Sequence, residues 1–309
     1  MYFLSHAIQQ QTVINRVKLL PKSTTDRLNF ENRDGDSLTV IGNMHDYLVG
    51  GSDEDIPSSI HVKSWFTYVV YCGILKLDLP FFSYKLNIGI DLKTFYQDNA
   101  MPIIRLQKTL RFRDKGNLNL IFFDLSEVQY YPNIYATAYY FAQKDLDQPL
   151  IVLQLSNASF EGIYYQPGQT FTKQDYIIGS GFNSLNIQED GKTDIQGQGN
   201  YLQQLVKKAS KLFAHDENAP VYICRDTGIE DSILEGFKEK FIDKKIILIN
   251  DHPTKITSIG LFLIDKGNTK AEKIPTVGIA FSKHHTFFTG LTKKSAEILV
   301  KYQIIDALL

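Results

Sequence analysis

The stretch from Pro220 to Asp251, PVYICRDTGIEDSILEGFKEKFIDKKIILIND, narrows the folds open to this chain more than any other. Val221 to Cys224 is a short apolar run of the kind a strand covered on both faces needs. It meets a charged turn, Arg225-Asp226-Thr227-Gly228, after which Ile229, Ile233, Leu234, Phe237 and Phe241 recur at helical spacing. A second apolar run, Ile246 to Ile249, ends in Asn250-Asp251. Strand, amphipathic helix and strand in this order point to a layered α/β fold, where ligands gather at the carboxyl ends of strands. Asp226 and Asp251 are the acidic residues that those two strand ends present.

The segments before it extend the pattern. Leu150 to Leu155, Gly162 to Gln166 and Asp175 to Gly179 read as three strands joined by short turns, one of them Gln166-Pro167-Gly168. A polar loop, Ser180 to Gly199, leads to an amphipathic helix over Tyr201 to His215. Leu205, Ala209, Leu212 and Phe213 face inward there, with Lys207, Lys208 and Lys211 on the outer side. Three strands, helix, strand, helix, strand is the order of an RNase H-like fold. It is expected over residues 149–309, with residues 1–148 forming an N-terminal α/β region of unassigned fold.

In that first region, Ser64 to Leu75 suits either a helix capped by Ser64 or a strand. Phe81 to Leu92 reads as extended. Asn119 to Leu125, the Tyr-rich segment Tyr130 to Asp145 and Pro149 to Leu155 suggest a β-α-β unit joining the two halves. Arg105, Lys108, Arg111, Arg113 and Lys115 concentrate positive charge in one short stretch. On a strand, Arg111 and Arg113 share a face, as an edge strand guarded by charge or as a phosphate-contacting patch. At the other end, Thr292 to Leu309 fits a helix whose apolar face, ending Ala307-Leu308-Leu309, docks into the core or a protein partner.

Bulk properties exclude several classes. A net charge of −1 leaves no overall positive field, so nucleic acid would have to be held by local patches. Cys72 and Cys224 lie far apart inside apolar runs, which fits buried free thiols in a cytoplasmic or other reducing compartment. Met1 to Ile8 is too short for a signal peptide, and Trp65 to Leu75 falls well short of the ~20 apolar residues of a membrane helix. Gly179-Ser180-Gly181 lacks the context of a dinucleotide fingerprint, and no phosphate loop, zinc-protease helix or serine elbow occurs.

The decapeptide Ala219 to Gly228, APVYICRDTG, resembles the strand ending in Arg-Asp-Gly of the PIWI module of Argonaute proteins, and Ile279 to Phe288, IAFSKHHTFF, is similar to a Lys-Arg-His-His-Thr stretch of that family. The resemblance covers about residues 150–309 and implies binding of RNA or DNA strands. It also implies an aspartate on the first strand, where this chain carries Gln154. A neutral amide supplies no charge to hold paired divalent cations, so strand cleavage is expected to be lost. Arg105, Lys108, Arg111 and Arg113 with Lys207, Lys208 and Lys211 would contact phosphates, and Tyr140 with Lys144 would take a 5′-phosphate.

Two alternatives stand beside this. One is a nuclease using Asp226 and Asp251, with Asp124 and Mg²⁺ or Mn²⁺; the other is a non-enzymatic structural subunit of a larger assembly. The residues also have plainer readings. Asp226 serves equally as a structural ion-pair partner of Arg225, Thr227 with Glu230 as a capping box, Asp251-His252 as a turn before Pro253, and His284-His285 as exposed strand residues on opposite faces.

Overall fold

The computed structural model describes residues 27–31, 37–41, 83–96, 109–114, 117–122, 124–143, 148–156, 159–168, 175–181, 195–225, 229, 231–264, 276–281, 285–291 and 298–304. The chain is mixed α/β and divides into two compact units. The first comprises residues 1–88, 99–130 and 265–309, and the second comprises residues 89–98 and 131–264.

The second unit is built on a five-stranded sheet. Strands β7 (Leu150–Leu155), β8 (Ser159–Tyr165), β9 (Tyr176–Ser180), β10 (Val221–Arg225) and β11 (Ile246–Ile249) lie in the order β11-β10-β7-β8-β9. β7, β8 and β9 are successive antiparallel neighbours, and β10 runs parallel to both β7 and β11. Two amphipathic helices, α3 (Ile195–Phe213) and α4 (Asp231–Lys240), cover one face. Leu205, Leu212, Ile233 and Phe237 pack there on Ile151, Leu153 and Phe160. Helices α2 (Asn133–Ala142) and α5 (Pro253–Ile264) belong to the other side, where Ile134, Phe141 and Ile256 join Leu150, Val152 and Cys224. With helices on both faces, β7 and β10 read as near-continuous apolar runs, as strands of such sheets do. Each buried Leu, Ile or Phe contributes roughly 1.5–3 kcal/mol relative to exposure.

The α2–α5 contact is unusually close. Gly260 has no room for a side chain, because a Cβ there would lie 1.9 Å from the Ala136 carbonyl oxygen. The hydroxyls of Thr137 and Thr257 hydrogen-bond across the same contact at 2.8 Å. A short helix, α1 (Leu92–Phe95), is capped by Asp91, whose carboxylate accepts from the Thr94 backbone N–H at 2.8 Å.

The first unit holds two sheets. β1 (Arg27–Glu31), β2 (Ser37–Ile41), β4 (Thr109–Asp114) and β5 (Asn117–Phe122) form an antiparallel sheet in the order β2-β1-β4-β5. β3 (Ser83–Ile90), β6 (Asp124–Pro132), β12 (Thr276–Phe281), β13 (His285–Leu291) and β14 (Ile298–Ile304) form the other, ordered β14-β13-β12-β3-β6. β12, β13 and β14 are antiparallel in succession. The two five-stranded sheets therefore share one arrangement: three consecutive antiparallel strands, the first of which borders two more. In the second unit the three precede the two along the chain. In the first unit they follow, so that sheet is closed by segments from both ends of the sequence.

Several expectations change. The order of three strands, helix, strand, helix, strand is present from β7 to β11. The expected β-α-β unit is not, because β5, β6 and β7 lie in three different sheets. Ile298 to Ile304, expected within a C-terminal helix that docks into the core or a protein partner, is strand β14, paired along its whole length with β13 from Leu291↔Ile298 to His285↔Ile304. Arg111 and Arg113 lie on β4, an interior strand between β1 and β5, so the guarded-edge reading falls. Helix α5, on which the sequence reading makes no statement, follows the Asp251-His252 turn and begins with Pro253 in its first turn, where the missing N–H costs nothing. The Ser64–Leu75 segment lies outside the described residues.

Candidate functional site

The carboxyl end of the second unit's sheet is where an open α/β sheet presents chemistry. On the face shared with α2 and α5, register places Cys224, Gln154 and Glu161 side by side on β10, β7 and β8. Gln154 stands at the centre of this row, and its Oε1 is buried without a hydrogen-bond partner. Cys224 is a buried free thiol whose pKa is raised by burial and by the nearby Asp251 carboxylate, so it is held as the unreactive thiol.

Glu161 is 6% exposed and accepts a hydrogen bond from the Leu92 backbone N–H at 3.0 Å. Burial pushes its pKa up to about 7; the Leu92 N–H lowers it and Asp91 raises it further. The carboxyl is thus neutral in mildly acidic solution and ionises near neutrality. Glu161 lies just before the strand expected over Gly162 to Gln166, and a single acid at such a boundary carries no signal of burial.

Arg225 and Asp251, among the described charged groups here, are engaged in ion pairs. Arg225 pairs with Asp231 at 2.6 Å and donates to the Ile229 carbonyl at 2.8 Å, which ties the end of β10 to the first turn of α4. Asp251 is exposed and forms an ion pair with Lys255 at 2.9 Å. His252 is part of a helix start, its Nδ1 accepting from the Thr254 N–H at 3.2 Å. The turn after β7 is closed on itself: Ser156 Oγ donates to the Ser159 carbonyl at 2.8 Å and accepts from the Ser159 N–H at 3.1 Å. Among the described residues, no three His, Cys, Asp or Glu side chains gather as a metal site.

The residues expected to carry function are dispersed. Asp226, Thr227, Gly228, Glu230, Arg105, Lys108 and Lys144 lie outside the described residues. Asp124 begins β6 in the first unit's sheet, whereas Asp251 follows β11 in the second unit's. Arg111 and Arg113 lie on β4, and Lys207, Lys208 and Lys211 lie on α3. Lys208 is engaged within the fold, donating to the Ile178 carbonyl and lying 5.6 Å from the Phe160 ring centroid. Tyr140 packs edge-on against Phe141, with ring centroids 5.2 Å apart.

Comparison with solved structures decides which fold this is. An archaeal actin homologue, Ta0583, superposes with a TM-score of 0.54 over 76% of this chain and 86% of its own, at 10% identity. The fold is that of the actin-like proteins. The apo pSK41 ParM protein gives 0.52 over 76% of this chain and 81% of its own, at 12% identity. A ParM filament from Clostridium botulinum gives 0.51 over 85% of this chain and 91% of its own, at 13% identity. No protein-family model and no curated protein sequence matches the chain.

The actin-like fold replaces the PIWI and Argonaute resemblance, the RNase H-like label that accompanied it and the nucleic-acid partner it implied. The two motifs that carried the resemblance do not share a sheet. Val221 to Arg225 is β10 of the second unit, while Ile279 to Phe288 spans the β12–β13 hairpin of the first, with Ala280 paired to Phe287. Among the described residues, no helix is long and apolar enough to cross a membrane.

Proposed function

We propose that this chain is an actin-like subunit that assembles with copies of itself into filaments. The observation that carries this is the likeness to the Clostridium botulinum ParM filament, which spans 85% of this chain and 91% of that one. The Alp12 filament supports it, at a TM-score of 0.51 over 80% of this chain and 87% of its own. The chemistry at the carboxyl end of the second unit's sheet is consistent with a structural role. Among its described residues, Arg225 pairs with Asp231 and Asp251 with Lys255, and the central residue of the row is the neutral Gln154.

Polymer formation is tested by raising the concentration of the purified chain, with and without added ATP and Mg²⁺. High-speed sedimentation and negative-stain electron microscopy provide the readout. Above a threshold concentration the added protein is expected to pellet while the supernatant stays constant, and the pellet to contain filaments. Protein that stays in the supernatant at every concentration, with no filaments on the grid, rejects the reading.

A further inference from the structure

We propose that β11 is an interface between copies of this chain, pairing antiparallel with β11 of a second copy about a two-fold axis at Leu248. This rests on the self-assembly reading and names one of the contacts such an assembly would use.

β11 is the last strand of its sheet, with β10 on one side and, among the described residues, no strand on the other. Its ladder to β10 shows which backbone groups remain. Val221 is the partner of Ile246, and the Val221 N–H donates to the Lys245 carbonyl at 2.9 Å. In a parallel ladder that bond directs the backbone of Lys245, Ile247 and Ile249 toward β10, and leaves the N–H and C=O of Ile246 and Leu248 pointing outward. All four residues of β11, Ile-Ile-Leu-Ile, are half-buried. Ile242, in the turn that leads into the strand, is 84% exposed. An apolar edge with free backbone groups is a template for another strand, and neither proline nor an inward-pointing charge blocks this one.

The flanking charges choose the occupant and the direction. The segment reads Lys244-Lys245-Ile246-Ile247-Leu248-Ile249-Asn250-Asp251, basic at its start and acidic at its end. Antiparallel pairing requires outward-facing residues to oppose one another, so Leu248 can meet Leu248 of the second copy and Ile246 can meet Asn250. That register sets Lys245 opposite Asp251 twice, once on each side of the axis, in the closer non-hydrogen-bonded positions. Parallel pairing would instead set basic end beside basic end. Lys245 and Asp251 are both exposed, and a surface ion pair such as Asp251–Lys255 holds Asp251 only weakly. Lys244 is already occupied, donating to the Glu217 carbonyl at 2.7 Å.

A two-fold contact of this kind closes after two copies. It therefore joins subunits of two oppositely directed rows, and growth along a row uses a different, head-to-tail surface.

The test is a charge exchange read by sedimentation velocity and by the pelleting assay. Lys245→Asp and Asp251→Lys each place like charges opposite one another and are expected to weaken pairing about tenfold, since each two-fold contact contains the pair twice. The double variant restores opposite charges and is expected to recover the wild-type association. Thermal melts should match the wild type for Lys245→Asp and fall only slightly for Asp251→Lys and the double variant, which lose the Lys255 pair, so that a loss of folding is told apart from a loss of association. If the wild type associates and all three variants behave like it, the β11 pairing is overturned while self-assembly stands. A wild type that pairs without forming filaments removes the filament reading and leaves the exchange to decide β11. A wild type that stays monomeric at every concentration overturns both.

Discussion

Gly260→Ala is expected to destabilise the protein by about 3 kcal/mol or more, at the severe end of overpacking substitutions. Two effects oppose each other at this position. Replacing glycine by alanine inside a helix ordinarily gains up to about 1 kcal/mol from backbone entropy. Here the added methyl would stand 1.9 Å from the Ala136 carbonyl oxygen and 2.6 Å from its carbon. The obstacle is backbone of the facing helix, which no rotamer change can clear, so α2 and α5 must separate. Separation also strains the Thr137–Thr257 hydrogen bond at the same contact. Gly199→Ala is the control, because a Cβ there meets nothing within 4 Å. It lies in α3 and should keep the full propensity gain, raising stability by up to about 1 kcal/mol. Urea unfolding of the two variants should move the midpoint in opposite directions, and a Gly260→Ala protein as stable as the wild type would refute the close crossing.

Glu161→Gln is expected to stabilise the protein at pH 8 and to leave it nearly unchanged at pH 5. The folded-state pKa is about 7, above the ordinary value near 4.5, with burial the largest cause. Between those two values the unfolded chain has released its proton while the folded chain keeps it, so stability falls as pH rises through this window. Above pH 7 both states are ionised and the penalty is constant, roughly 3 kcal/mol at about 1.4 kcal/mol per pH unit. Glutamine removes the charge yet keeps an oxygen to accept from the Leu92 N–H. Melting curves at the two pH values therefore separate this account from a packing effect, which would shift both equally.

The second unit was the legible half. Val221 to Cys224 and Ile246 to Ile249 are short apolar runs bounded by charge, and Leu205, Ala209 and Leu212 recur at helical spacing. Those local periods mark elements whichever way they pack. Two segments were less legible, one in the last 45 residues and one inside the second unit itself. The run Ile298 to Ile304 is apolar enough for either period, and it became a strand because β13 offered an edge of matching length. Pro253 to Ile264 hid a helix behind β-branched residues and a glycine, and that glycine is there because a second helix crosses at that point. Little of the candidate site was legible: Gln154 draws notice only through the resemblance that the fold overturns, and Glu161 is ordinary until its register neighbours and the Leu92 N–H are known.

The sequence alone determined where apolar strands and amphipathic helices form in the second unit, because side-chain period is a property of consecutive residues. Tertiary structure decided which strands share a sheet, whether the final apolar run is helix or strand, and which acid loses its charge. Each of those depends on a partner distant along the chain, such as β13 for β14, Ala136 for Gly260 and Leu92 for Glu161, and spacing along one segment carries no record of what will lie against it.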